Sequence, residues 1–374
     1  MKRSETPTAN QGFVAPSAEV GILSGFVLKL IRGSLGMTQD KLAELLEVDA
    51  STVQGWESGR RPLPAQRAAD LLRLRTRLTM HGAQPAAVSC FQEALEGDGI
   101  LAVAIAAGGQ PVRLEFNPLA AAVHRRSLVN MITWPFTGLT PPKLRSLPSS
   151  PGRGPVAKHP LLNTSDQRRF FDHLIATADP ATASSTPLLR RQATYLLGFD
   201  SRQESAIWLA TEHKRAFAAG AGSADPTAGI AARSATLALA RRGDPDPLKY
   251  FIKHTLSSDK HAAANLAYWA YWLGEIPDSY PSDRYLVAAG DDHTWSGGLL
   301  ASHLLQHLDN DIHGQLNIHS FWTLVLARPD LLRQHASLRT LAAARVERAL
   351  DGGFDREARD ELINLRYAVQ LANR

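Results

Sequence analysis

The chain has 374 residues, 44% of them hydrophobic, with a formal net charge of +5 and a pI near 9.4. That length and apolar content suit two or three domains with substantial cores, and the lone cysteine, Cys90, excludes an intramolecular disulfide framework. The longest apolar run, 100–107, is too short to span a bilayer, no secretory pattern is present, and the basic balance suits an anionic partner, so a soluble cytoplasmic protein is expected.

Residues 1–18 are polar and rich in small side chains, and they read as a disordered tail. A first helix follows, with Leu23, Phe26, Val27, Leu30 and Ile31 on one face, fraying over Gly33 to Gly36. Thr38 is placed to cap a second helix. Asp40 lies in its first turn, where the helix dipole favours a carboxylate, and Leu42, Leu45 and Leu46 form its inner edge. Glu47 and Val48 make a turn, and Asp49 opens a third helix with Val53 and Trp56 inward. Ala50, Ser51, Gln54 and Gly55 then face away from the core. Gly59 closes that helix, and Arg60, Arg61, Pro62 and Pro64 form a stiff basic loop before a fourth helix with Leu71, Leu72 and Leu78.

The segment from about Ser24 to Leu78, with T-Q, L-A-E-L-L and W-E-S-G-R-R-P in register, resembles the phage-repressor/Cro, or XRE-type, helix-turn-helix. The resemblance implies DNA contact by Thr38, Gln39, Ala50, Ser51, Thr52, Gln54 and Gly55, with Arg60 and Arg61 following phosphates. Ala50 and Gly55 carry no hydrogen-bonding side chain at positions where such domains usually read sequence. Direct readout is therefore expected from Ser51, Gln54 and Gln39, with a larger share from thymine-methyl contact and DNA shape. Between Arg60 and Arg77 six arginines face one acid, Asp70. For Arg67, Arg73, Arg75 and Arg77 a phosphate-contacting face and a merely solvated face are both open.

A DNA-binding domain is thus expected over 19–80, followed by a connecting region at 81–165. Within the latter, 100–107 and 112–116 are predicted to form a short hairpin, because Val112, Leu114 and Phe116 alternate with Arg113 and Glu115. Residues 139–160, rich in Pro, Gly and Ser, read as an irregular linker. From 166 to 374 the pattern is almost continuously helical, with segments near 166–178, 187–198, 202–218, 229–242, 246–257, 259–273, 297–308, 315–327, 337–350 and 355–373. Strand signals are nearly absent, so the whole reads as an all-α protein whose second domain is a stack of helical hairpins, with a tetratricopeptide-like solenoid as its analogy. The strings NLAYWAYWLGE, LNIHSFWTLVLARP and LRRQATYLL resemble the helical region of large actinobacterial helix-turn-helix regulators.

Tyr268, Trp269, Tyr271, Trp272, Trp295 and Trp322 have two readings, helical core or ligand-lining wall. His303 and His307, four apart, with His293, Asp309, Asp311, His313 and His319 nearby, have a spacing that can hold zinc, but no Glu follows His303 directly and no cysteine lies nearby, and a partly exposed helix edge is the simpler reading. Seven acids between Glu275 and Asp311 oppose an acid-free basic stretch at 118–165, which allows mutual neutralisation. The expectation is a non-enzymatic transcriptional regulator, with no cofactor, metal or catalytic residue. Its expected partners are double-stranded DNA, a second copy of the chain, and a small-molecule or protein effector at the C-terminal domain. A helical-repeat interaction module anchored on DNA and a metal-dependent enzyme are the alternatives.

Overall fold

The computed structural model describes residues 20–110, 112, 117–122, 125–147, 157–178, 187–220, 226–276, 295–310 and 312–373, and among them it contains α-helices and no strands. The all-α class expected from hydrophobic periodicity holds throughout. The chain divides into two units, Met1–Pro118 with Ser127–His173, and Leu119–Arg126 with Leu174–Arg374.

The first unit begins with α1 (Ile22–Ser34), α2 (Gln39–Leu46), α3 (Ala50–Glu57), α4 (Ala68–Met80) and α5 (Pro85–Ala107). It also holds all but the first residue of α6 (Arg126–Thr137) and the first part of α7 (Thr164–Ala178). Helix α1 is central and packs on α3 and α5, while α2 and α4 close around α3 and α5. Leu23, Val27, Leu28, Ile31, Leu42, Val53, Leu78 and Phe91 are fully buried there. Each such side chain contributes about 1.5–3 kcal/mol of burial. In α4 the inward residues are Leu74 and Leu78, whereas Leu72 is 62% exposed.

Helix α5 departs from the predicted connecting region. Residues 100–107, expected as a hairpin strand, form its last two turns, Val112 has no regular structure, and 113–116 lie outside the described residues. The helix starts with Pro85 at its first position and ends at Gly108, whose φ of +52° suits glycine. It is buried on most sides, by Cys90, Phe91, Ala94, Leu95, Gly97, Asp98 and Leu101 among others. A helix surrounded by core has no polar face and therefore no visible 3.6-residue period.

One of those buried residues caps another helix. Gly21 precedes α1 and has no side chain to satisfy its first N–H groups. Asp98 does so from α5: Oδ1 accepts the Leu23 N–H at 2.9 Å, and Oδ2 accepts the Ser24 N–H at 2.9 Å and the Ser24 hydroxyl at 2.5 Å. Two glycines permit the close approaches around α1. A Cβ on Gly97 would lie 2.8 Å from Leu23 Cδ1, and one on Gly25 would lie 2.0 Å from the Trp56 carbonyl oxygen. Phe26 meets Trp134 of α6 edge-on, with ring centroids 5.1 Å apart.

The second unit continues with α8 (Pro187–Leu197), α9 (Gln203–Gly220), α10 (Pro226–Arg241), α11 (Asp246–His254) and α12 (Asp259–Leu273). It is completed by α13 (Gly298–Gln306), α14 (Gly314–Ala327), the single turn α15 (Leu331–Gln334), α16 (Ala336–Leu350) and α17 (Arg356–Leu371). Neighbours in sequence are mostly neighbours in space: α9 packs on α10, α10 on α11 and α12, α13 on α14, and α16 on α17. Ala267, Tyr271, Leu304, Phe321, Val346 and Leu365 belong to its larger core, and Leu248, Phe251 and Leu316 to a smaller one.

Beside these cores Arg190 of α8 donates two hydrogen bonds to Glu212 of α9, with both side chains more than nine-tenths buried, and Arg215 adds two more at 2.7 and 2.8 Å. Burial alone would raise the Glu212 pKa, but the hydrogen bonds from Arg215 and Arg190 outweigh it and hold the carboxyl below its ordinary range. Its stabilisation is therefore present above the ordinary carboxylate pKa and is lost as pH falls through the lowered one. Glu212→Ala strands the Arg190 guanidinium, and the second unit is expected to lose about 3–5 kcal/mol in a denaturant titration.

Candidate nucleic-acid interface

Helices α2 and α3 are joined by a turn that several independent contacts fix. Thr38 caps α2, its hydroxyl accepting the Lys41 N–H at 3.2 Å. Glu47 adopts the left-handed conformation, φ 58° and ψ 44°, and ends the helix there. The Val48 N–H then bonds back to the Ala43 carbonyl at 3.0 Å. Asp49 is extended, with φ −70° and ψ 147°, and opens α3 without a side-chain cap bond. Arg77 of α4 clamps the turn from outside, donating to the Leu45 carbonyl and to the Glu47 carboxylate at 2.8 Å each.

Behind the turn lies an ionic network that no local pattern in the sequence announces. Glu57, at the end of α3, is only 4% exposed and takes hydrogen bonds from Arg32 of α1 at 2.5 and 3.1 Å. Gln39 at the start of α2 donates to the same carboxylate at 2.7 Å, and Arg32 also reaches the Met37 carbonyl at 2.7 Å. One carboxylate thus ties α1, α2 and α3 together. Gln39, expected as a direct DNA contact, has its amide nitrogen committed to this network, which sets the orientation of its side chain.

The outer side of α3 presents Ser51 and Gln54, both exposed and one helical turn apart, while Val53 and Trp56 are buried on the opposite side. Ala50 is half-buried at the N-terminal end. Gly55, expected on the reading face, is buried beneath Arg61: a Cβ there would lie 2.9 Å from Arg61 Cδ. The Arg61 N–H donates to the Gly55 carbonyl at 2.9 Å, and its guanidinium donates to the Thr52 hydroxyl at 2.7 Å. Glycine at position 55 therefore lets the basic loop fold across α3, which sets a cation beside Ser51 and Gln54. Arg60 is exposed next to it.

The four arginines downstream have distinct roles. Arg77 clamps the turn, Arg75 donates to Gln92 of α5 at 3.0 Å, and Arg73 forms an exposed pair with Asp70 at 3.1 Å. Only Arg67, exposed at the start of α4, shows no such tie among the described contacts. The loop holding Arg60 and Arg61 is thus the main cationic surface beside α3.

The other candidate positions lie in the second unit. Tyr268, Tyr271 and Trp295 are buried, and Trp269, Trp272 and Trp322 pack partly buried against the same core. The His303 and His307 rings lie 4.5 Å apart, and His307 Nδ1 sits 2.8 Å from the His303 carbonyl oxygen. Burial, with His307 adding to it, depresses the His303 pKa to about 4. His319 Nδ1 lies 2.6 Å from Glu361. Among the described residues no group of three or more His, Cys, Asp and Glu side chains is placed to hold a metal ion. His293 and five of the seven acids of the acidic stretch lie outside the described residues. The other two have local partners: Glu275 accepts from Ser296 and the Leu300 N–H, and Asp309 faces Arg345 at 3.7 Å. Among the described residues no helix is long and apolar enough to cross a membrane.

No curated protein and no solved structure matches the chain. Residues 28–74 match a family model described as helix-turn-helix. That match spans α2, the clamped turn, α3, the Arg60–Arg61 loop and the first half of α4, so the first unit carries a helix-turn-helix of the kind that DNA-binding regulators use.

Proposed function

We propose that the chain is a sequence-specific transcriptional regulator that seats α3 in the major groove, with Ser51 and Gln54 toward base edges and Arg60 and Arg61 against phosphates. The observation that carries this reading is the arrangement of α3. Its inner side is fixed by Val53, Trp56 and Glu57, its outer side is exposed at Ser51 and Gln54, and Arg61 crosses beside them. Gln54 is the one exposed side chain on that edge with both an amide donor and an acceptor, the pair that matches adenine. Thr38, Gln39 and Thr52 act chiefly by positioning. Ala50 suits contact with a thymine methyl, and Gly55 serves by admitting Arg61. A single eight-residue recognition helix covers few base pairs, so the protein acts in the cytoplasm as a homodimer on half-sites about one helical turn apart. An effector at the helical second unit regulates it.

Gln54→Ala is expected to weaken operator binding by about 1–3 kcal/mol and to leave binding to random DNA unchanged. Replacing Arg60 and Arg61 together by Ala is expected to weaken both, and to reduce the slope of log K against log salt by about 2. Genome-wide selection of bound fragments supplies the operator, and titrations at several salt concentrations supply the slopes. Equal loss on operator and random DNA for Gln54→Ala would rule out this recognition edge.

A further inference from the structure

We propose that the second unit contains a binding site for a small, multiply charged anion, formed by Arg233 and Arg241 of α10 with Tyr195 of α8, Tyr268 of α12 and His313 at the start of α14. The inference deepens the effector part of the reading above. It rests on the second unit alone.

Arg233 is 7% exposed. Its Nε donates to Asn265 Oδ1 at 2.8 Å, and Asn265 in turn donates to Ser320 at 3.0 Å, so the partner that fixes Arg233 is a neutral amide. The guanidinium carbon lies 5.0 Å from the Tyr268 ring centre and 5.1 Å from that of Trp269, and Arg191 approaches the same Tyr268 ring at 5.1 Å. Two turns further along α10, the Arg241 guanidinium carbon lies 4.9 Å from the Phe199 ring centre and 5.4 Å from that of Tyr195. The groups acting on Arg233 among the described residues are Tyr268, Arg241, Tyr195 and Arg191. His313 is acted on by Arg241 and Arg233, and its buried Nδ1 has no hydrogen-bond partner. Burial first, and then those two arginines, depress the His313 pKa to about 4, so it is a neutral imidazole at neutral pH.

The contrast with nearby arginines is what gives the cluster meaning. Arg190 is neutralised by Glu212, and Arg202 by Asp200 at 2.9 Å. Those two arginines have carboxylate partners, and the Arg242 guanidinium is held by the Asp200 and Arg202 carbonyls. Around Arg233 and Arg241 this unit supplies, among the described residues, two phenols, an amide, aromatic faces and a neutral imidazole. Aromatic faces offset only part of the cost of burying a guanidinium, and an unpaired buried charge is strongly unfavourable. Guanidinium forks match phosphate and carboxylate oxygens, and Tyr195 adds a hydroxyl. The class indicated is a phosphate- or carboxylate-bearing small molecule.

The test is thermal unfolding of the full chain in pyrophosphate or in citrate at millimolar concentration, against sodium chloride of equal ionic strength. A rise of about 3–5 °C in at least one anion is expected. A response to pyrophosphate alone identifies a phosphate site, and a response to citrate alone a carboxylate site. The rise should disappear in Arg241→Gln, a change at a half-buried position that the fold tolerates, and in Arg233→Gln. It should persist when Arg60 and Arg61 are both replaced by Ala, which separates this site from phosphate binding by the helix-turn-helix. No rise in either anion, or a rise of the same size in Arg241→Gln, overturns the proposal. So does a rise that appears only after Asp278, Asp283, Asp291, Asp292 and Asp311 are changed to Asn, because the chain's own carboxylates would then be the counter-charge.

Discussion

Asp98→Ala is expected to cost the first unit about 3–5 kcal/mol of stability, because it orphans two backbone N–H groups and a hydroxyl in a site closed to water. The three donors belong to Leu23 and Ser24, and Asp98 is 0% exposed. Hydrogen exchange at α1 amides measures the loss directly. Equal protection of α1 in the wild type and the variant would show that the cap is dispensable. The same residue confers a pH dependence of definite sign. Burial raises the Asp98 pKa from 3.8 to about 7, against the opposing pull of hydrogen bonds from Ser24 and Leu23. A folded-state pKa above the unfolded one means that the folded state holds the proton more tightly. The contribution is therefore fully present below about pH 4 and is lost as pH rises through about 7. Asp98→Asn, which cannot ionise, is expected to remove that downward slope from a plot of first-unit stability against pH.

Glu57→Ala is expected to cost the first unit about 3–5 kcal/mol, the penalty of leaving a largely buried guanidinium without its counter-charge. Arg32 is only 15% exposed, and Glu57 provides two of its three hydrogen bonds. The effect extends to DNA, since Gln39 donates to the same carboxylate and both α2 and α3 lose their common tie to α1. Unfolding and operator affinity are therefore expected to fall together, whereas Gln54→Ala changes operator affinity with no change in unfolding. Replacing both partners, Arg32→Met with Glu57→Leu, is expected to be less destabilising than Glu57→Ala alone, since no unpaired charge is left buried. A double variant less stable than the single one would contradict that account.

The helix-turn-helix is legible in the sequence because all of its signals are short-range. Thr38 is one residue from the helix it caps, Glu47 ends that helix four residues after Ala43, and the Val53 and Trp56 spacing marks the inner side of α3. The ten helices expected between 166 and 374 are present because helical periodicity and breaks at Gly, Pro or Asp are also short-range signals. Helix α5 was illegible as a helix because core surrounds it, so its composition reads as apolar without period. Leu331–Gln334 is one turn long and has no periodicity to detect.

The candidate interface divides along the same line. Exposure of Ser51, Gln54, Arg60 and Arg61 follows from helical spacing and a proline-stiffened loop, which are properties of adjacent residues. Three facts required the tertiary structure: Gln39 joins Arg32 on Glu57, Gly55 lies under Arg61, and Arg77 clamps the turn from α4. The pairing of Asp98 with the α1 terminus spans 75 residues of chain. The sequence by itself determined α1 to α4, the ten longer helices beyond residue 160 and the exposure of Ser51 and Gln54 on α3, because helix periodicity and capping act over three or four residues. Only the tertiary structure decided which polar groups satisfy one another. A buried donor must find an acceptor somewhere, and its residue type does not say where along the chain that acceptor lies.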